Sequence, residues 1–310
     1  MSFGPISLLY KPEKDFIGSP YHMEADLKIP GNILLSESDR LLTIKGSSIQ
    51  QLARLNLYGK TKISAFYQLN ESSIVVSDLE HYCLVLFDRV SSKFSHYSGL
   101  CNDDVRILVD GNKTTARFTT IDDIIKGPGD YSNKLIVLDF FNHAIRHVDL
   151  VTQEVGTIYS GDGLKELTGG LCVEHNTSNI LIGGLNNIIR LSLDSSNPTP
   201  TTLVFDADQA DLPSASRIIH IVKDIYLATT TFGLRLIDLE NNSVKSLCQY
   251  SMSIDGIIEG KIGECVTRTP RALLMYNDRI YFGLPGSYYR IGQLPGKLRK
   301  GILAVVIEKL

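Results

Sequence analysis

The sequence predicts an all-β protein, a single β-propeller of six four-stranded blades spanning residues 1–310. Three observations carry that prediction. Runs rich in Val, Ile, Leu and Tyr alternate with Gly, Asn, Asp and Ser turns, and no long helical period appears. One phrase keeps returning: an apolar strand, a small or polar turn, then a strand that closes on an apolar residue and Asp. The phrase is also regularly spaced, because Asp149 and Asp238 lie 89 residues apart, two repeats of about 45 residues.

Each element follows from the phrase. It reads Ile74-Val75-Val76-Ser77-Asp78 then Cys83-Leu84-Val85-Leu86-Phe87-Asp88, and again Leu135-Ile136-Val137-Leu138-Asp139 then Ala144-Ile145-Arg146-His147-Val148-Asp149. It returns at Ile180–Gly184 with Ile188–Leu193, and at Ile225–Thr229 with Gly233–Asp238. A weaker copy covers Leu41–Ile44 and Ile49–Leu52, and a degraded one Arg279–Gly283 and Tyr288–Ile291. The blade cores are therefore expected near 41–68, 73–99, 118–160, 170–205, 216–248 and 271–291. Asp88 and Asp149 are 61 residues apart, so that step carries an insertion near Leu100–Asp110. Each blade is a twisted sheet with two apolar faces that it hides against its neighbours. The Asp closing each third strand is placed to accept backbone N–H groups of the following turn. Gly301–Ile307 is expected to pair with the first blade or an N-terminal strand and so close the ring.

Composition narrows the classes. The chain is 43% hydrophobic, enough for a large core, and its net charge is −3 from 31 basic and 34 acidic residues. Neither nucleic acid nor an anionic membrane is demanded by that balance. No apolar run approaches the roughly 20 residues of a membrane span. The opening residues, Met1–Tyr10, lack a basic segment and a long apolar run, so the expectation is either a cytoplasmic protein or a leader outside this sequence. A monomer is expected, since a closed ring leaves no sheet edge.

The segment Asp110-Gly111-Asn112-Lys113-Thr114-Thr115-Ala116-Arg117-Phe118, followed by Asn142-His143-Ala144-Ile145-Arg146-His147-Val148-Asp149-Leu150, resembles an NHL-repeat blade. The full pattern is met from about Tyr97 to Gly163, and Asn186-Asn187-Ile188-Ile189-Arg190 is the next nearest copy. His81–Arg89 followed by Ser98-Gly99-Leu100-Cys101 is similar to cysteine-bearing NHL propellers of animal secreted and cell-surface proteins. That resemblance implies an extracellular or cell-surface home.

Five cysteines stand at 83, 101, 172, 248 and 265. Cys83 and Cys101 fall on successive strands of a hairpin centred near Ser92, which places them opposite each other. Two bridges, Cys83–Cys101 and Cys248–Cys265, with Cys172 free, are expected; a fully reduced, buried set is the alternative. Sequons at Asn70, Asn112, Asn176 and Asn241 fall in predicted turns and are candidate glycosylation sites.

Some propellers resembling this one are lyases or lactonases that hold Ca²⁺ or Zn²⁺ at the channel mouth. Asp78, Asp122, Asp123, Asp139, His143 and His175 are the candidate ligands under that reading. Against it, Asp78 and Asp139 read as turn caps, Asp122 and Asp123 as a solvated loop pair, and His143 as part of the NHL phrase. Neither a Gly-x-Ser-x-Gly motif nor Cys/His zinc spacing is present. NHL domains of tripartite-motif proteins bind RNA, and Arg290, Lys297, Arg299 and Lys300 with Tyr288 and Tyr289 form a short basic and aromatic run; a solvated face is its simpler reading. The expectation is therefore a non-catalytic scaffold without cofactor. It would bind a protein or other macromolecule through loops such as Leu100–Thr115, Ser195–Thr202 and Ser251–Glu264. A metal-dependent hydrolase or lyase is the alternative and an RNA-binding domain the lesser one.

Overall fold

The computed structural model describes residues 7–10, 20–45, 48–102, 105–194, 197–203, 212, 214–251, 257–258, 266–267, 269–277, 279–284 and 290–294. It is a β-propeller of four-stranded antiparallel sheets. Strands are lettered a to d in chain order within each blade. Blade 1 comprises Pro20–Ala25, Ile33–Glu37, Arg40–Lys45 and Ser48–Arg54. Blade 2 comprises Phe66–Gln68, Ser73–Asp78, Cys83–Asp88 and Lys93–Ser98. Blade 3 comprises Ile121–Lys126, Lys134–Asp139, Ala144–Asp149 and Val155–Ser160. Blade 4 comprises Leu167–Val173, Asn179–Gly184, Ile188–Ser192 and Thr201–Leu203. Blade 5 comprises Arg217–Val222, Ile225–Thr230, Gly233–Asp238 and Ser243–Ser246.

Five blades of consecutive strands are thus present where the sequence suggested six. A further four-stranded sheet is composite: Ala272–Tyr276, Arg279–Leu284 and Arg290–Leu294 are completed by Ser7–Tyr10 from the other end of the chain. The expected partner of that end, Gly301–Ile307, lies outside the described residues. A small three-stranded sheet of Gln249–Tyr250, Ile257–Ile258 and Val266–Thr267 follows blade 5.

Period-2 alternation explains why the sheets stack. In blade 3, Leu135 and Val137 face blade 2 and pack with Val75, Leu84 and Phe118. Their neighbours Ile136 and Leu138 face blade 4 and pack with Ile180, Ile182 and Leu191. Similar apolar layers lie between the other neighbours, and the layer of Met23, Leu35 and Leu42 with Ala272 and Tyr281 joins the composite sheet to blade 1. Burying each such side chain contributes about 1.5–3 kcal/mol. The a strands line the centre. Ala272–Tyr276 lies between the a strands of blades 5 and 1, and Gln68 bonds Glu24 and the Ala25 carbonyl across blades 1 and 2.

The Asp residues closing the c strands act as expected. Asp88 Oδ1 accepts the backbone N–H groups of Val90 and Ser91, Asp149 those of Val151 and Thr152, and Asp238 that of Asn241.

The insertion before blade 3 is not a free loop. Gly111 exchanges two backbone hydrogen bonds with Val155, and Asp110 accepts from the N–H and hydroxyl of Thr157. The signature letters are one physical unit. Arg146, fully buried, donates to Asp139 and Asp110 and to the carbonyls of Arg117 and Val109, and its guanidinium lies over the Phe118 ring. Asn142 Nδ2 donates to Asp139 Oδ2, the same oxygen that Arg146 Nη1 reaches.

Candidate functional site in the central channel

The metal candidates are not brought together. Asp78 closes strand b of blade 2 and accepts from the Thr61 hydroxyl and the His81 backbone N–H, with the His81 ring nitrogen at 2.8 Å. Asp139 occupies the same place in blade 3 and accepts from Thr119, Asn142 and Arg146. Both cap their strands, as their positions suggested. His143 takes a left-handed turn conformation (φ 46°) after the short 3-10 turn Phe140–Asn142. His175 lies in the a–b turn of blade 4, stacked on His220 at 4.4 Å between ring centroids.

Asp122 and Asp123 are a correction. They are not a solvated loop pair but part of the innermost strand of blade 3. There Asp123 meets His22 of blade 1, which also pairs with Glu24, and Arg217, the first residue of blade 5. Arg217 is 8% exposed and reaches across the channel. Its Nη1 sits 2.8 Å from Asp123 Oδ2, its Nη2 donates to the carbonyls of Ser64 (3.1 Å) and Asp122 (3.0 Å), and its Nε donates to the Tyr21 carbonyl (3.3 Å). Asp123 also accepts the backbone N–H groups of Ile124 and, from blade 4, Leu171. One guanidinium thus gathers groups from blades 1 and 3 and from the segment leading into blade 2.

Blade 4 makes room for this. Gly169 and Gly170 have φ of +123° and +70°, and a Cβ on Gly170 would come within 2.8 Å of Arg217 Cα and of the Ser216 carbonyl oxygen. Only glycine adopts such conformations at no steric cost.

The electrostatics divide the two carboxyls. Burial pushes both upward, but the Arg217 guanidinium and His22 more than reverse it at Asp123, which is held below the usual range. At Asp122 burial wins and the carboxyl is raised. Burial would lower His22, yet hydrogen bonding to Asp123 and Glu24 leaves its pKa raised. The cluster is a compensated ion network rather than an open ligand set.

That arrangement does not fit a channel metal. The oxygens of Tyr21, Ser64, Asp122 and Asp123 that face the centre already serve a cation carried by the chain itself. Among the described residues no group of three or more His, Cys, Asp or Glu side chains is arranged to hold a metal ion.

His22, Glu24 and Arg217 were not singled out from the sequence. They come from strands almost 200 residues apart and carry no motif; the available signal was a polar residue in the first strand of several repeats.

Cys83 and Cys101 form a disulfide with Cα atoms 5.2 Å apart, as the hairpin argument expected. Cys248 is disulfide-bonded too, and Cys265 lies outside the described residues. Cys172 is free and buried, its thiol pushed up to about 12 by burial. Asn70, Asn112, Asn176 and Asn241 are all exposed. Of the basic run, Arg290 opens a strand of the composite sheet; Tyr288, Tyr289, Lys297, Arg299 and Lys300 lie outside the described residues. Among the described residues no helix is long and apolar enough to cross a membrane.

No family model and no curated protein matches the chain. Solved structures do, at low identity. A gluconolactonase from Xanthomonas campestris superposes with a TM-score of 0.64 at 9% identity, over 95% of this chain and 91% of that one. A catalytically inactive virginiamycin B lyase from Staphylococcus aureus gives 0.60 at 12%, over 94% and 98%. A protein of unknown function from Bacteroides thetaiotaomicron gives 0.64 at 12%, over 93% and 75%. At such identities the likeness establishes the propeller fold alone.

Proposed function

We propose that this protein is a non-catalytic, monomeric propeller that binds a protein or other macromolecule through turns at one end of its sheets, in an extracellular or cell-surface setting. The composite sheet is taken as the sixth blade of its ring. The observation that carries the reading is Arg217: the channel centre, where a metal-dependent propeller enzyme needs open oxygen donors, is filled by a guanidinium that engages those donors. The Cys83–Cys101 disulfide is compatible with an oxidising compartment. The exposed asparagines of the four sequons support N-glycosylation there.

The b–c turns offer the binding end. Phe141, Leu185 and Phe232 stand exposed on those turns in blades 3, 4 and 5. Aromatic and aliphatic anchors of this kind dominate protein recognition. The second reading, a metal-dependent hydrolase or lyase, is favoured by the fold likeness to a gluconolactonase and a virginiamycin B lyase.

The test is a glycan-wedge scan of the secreted chain binding to cells. New sequons in the b–c turns at 140–143, 185–187 and 231–232 are expected to abolish binding. New sequons in the c–d turns at 90–92 and 151–153 are expected to leave it intact. Equal tolerance at both ends, or turnover of gluconolactone by the purified chain, overturns the reading.

A further inference from the structure

We propose that the stacked imidazoles of His175 and His220 form an acid-sensitive latch between blades 4 and 5, closed when the rings are neutral and opened when both carry a proton. The inference rests on contact geometry at the a–b end of the sheets, opposite the b–c turns, and is independent of what those turns bind.

The latch joins two blades. His175 stands exposed in the a–b turn of blade 4, residues 174–178, and His220 belongs to the innermost strand of blade 5. Their rings are nearly parallel, 12° apart in plane and 4.4 Å between centroids. His220 also meets the Tyr226 ring at 5.3 Å. Tyr226 is fully buried in the apolar layer between the two blades, and its hydroxyl accepts the His175 backbone N–H at 2.8 Å. His220 Nε2 lies 2.8 Å from the Lys223 carbonyl oxygen. A carbonyl only accepts, so Nε2 carries the proton of the neutral ring and an added proton goes to Nδ1.

Charge explains the opening. His22 lies against Asp123 and Glu24, and His81 against Asp78, but His175 and His220 face each other and, among the described residues, neither pairs with a carboxylate. One proton leaves a cation stacked on a neutral ring. A second places like charges 4.4 Å apart. The surrounding groups do not relieve this. Cys172, on the His220 backbone N–H, and Tyr226 are pushed up to about 12 by burial and stay neutral. Glu174 already serves Arg190, Asn179 and Thr177. Lys223 adds positive charge, and Asp224, which opposes it, is exposed to solvent. Burial and His175 hold His220 below its ordinary 6.5 despite the Lys223 carbonyl and Asp224. A lowered histidine contributes stability that is present above 6.5 and lost as pH falls through the folded value. His175, the exposed member, is the ring that leaves, and it draws turn 174–178 away from Tyr226.

The test is local, because His22 and His147 titrate elsewhere in the chain. Histidine Cε1–H NMR of the full chain follows both rings from about pH 8 to pH 4.5, with His220→Gln to assign His220. Two steps at least about one pH unit apart are expected, His220 at the lower one. In His175→Phe, which keeps a stacked ring and removes its charge, the His220 step should move upward. Amide hydrogen exchange corrected for intrinsic rates should show protection at 174–178 falling at least about threefold between pH 7.5 and pH 5. Turn 26–32 of blade 1 should keep its protection, and the fall should be absent in His175→Phe. Steps less than about one unit apart overturn the inference, as does a His220 step unmoved in His175→Phe. Protection at 174–178 that does not fall in acid, or falls equally at 26–32, overturns it too. The wild-type titration and exchange decide the matter even where a variant folds poorly. The glycan-wedge scan compares the two ends at neutral pH, so failure here leaves the binding-end reading separately testable.

Discussion

Arg146→Met is the most informative perturbation of the fold. It keeps an unbranched stem in the same space and deletes the guanidinium. Asp139, also fully buried, then retains Thr119 and Asn142 as donors but loses its counter-charge. Breaking a buried pair by removing one partner costs about 3–5 kcal/mol, because the remaining charge stays desolvated. The Asp110 side adds little, since that carboxylate is 49% exposed and regains water. The carbonyls of Val109 and Arg117 each lose one bond, at about 1 kcal/mol apiece, not strictly additive. The expected total is about 4–7 kcal/mol. Equilibrium urea unfolding near pH 7 measures it, with limited proteolysis reporting on segment 105–117. Adding Asp139→Asn to Arg146→Met should recover part of the loss, because it removes the stranded charge. Lys165→Met is the control: Lys165 and Asp162 are 61% and 87% exposed in their pair, so its loss should stay below about 1 kcal/mol. An Arg146→Met cost below about 1 kcal/mol would refute the claim that the signature arginine holds this blade and the insertion together.

Three further outcomes are expected. Cys83→Ser with Cys101→Ser should cost about 3 kcal/mol, from the chain entropy of a bridge spanning 18 residues, read by urea unfolding against a non-reducing peptide map; an unchanged midpoint would contradict it. Asp26 is pushed up by burial but held lower overall by Arg89 and by the N–H groups of Lys28 and Ile29, and Asp110 is likewise lowered by Thr157 and Arg146. A depressed folded pKa adds stability that is present above the ordinary 3.8 and lost as pH falls through the folded value. Stability should therefore drop below about pH 4, and the drop should be smaller in Arg89→Met; an equal drop would count against the Asp26 pair. Gly183→Ala should destabilise by more than about 1 kcal/mol, because its Cβ meets the Ala215 carbonyl oxygen; calorimetry showing no fall in Tm would disprove that clash.

What the sequence disclosed and what it hid divide along chain distance. The Asp that ends the c strand of blades 2 and 3 bonds N–H groups two and three residues on, and that of blade 5 the N–H three residues on, so its role follows from local order. Cys83 and Cys101 are joined by one hairpin and were equally legible. Blade 3 was the clearest because Asp110, Phe118, Asn142 and Arg146 are letters of one compact network. Blade 1 was misframed: 41–68 combines its last two strands with the start of blade 2, because Pro20–Ala25 and Ile33–Glu37 lack the Asp-ended phrase. The tie between the insertion and blade 3 was not legible, since pairing of Gly111 with Val155 spans a whole blade. The channel network was hidden most completely. Arg217 and Tyr21 are 196 residues apart, and two of the guanidinium's carbonyl partners, Tyr21 and Ser64, contribute backbone oxygens that any residue would carry.

The most direct test of the channel account is a crystal structure of the wild-type chain grown in millimolar CaCl₂. The account predicts Arg217 Nη1 against Asp123 Oδ2, with Nη2 and Nε on the Ser64, Asp122 and Tyr21 carbonyls. A Ca²⁺ ion among those four oxygens, with Arg217 turned away, would contradict it.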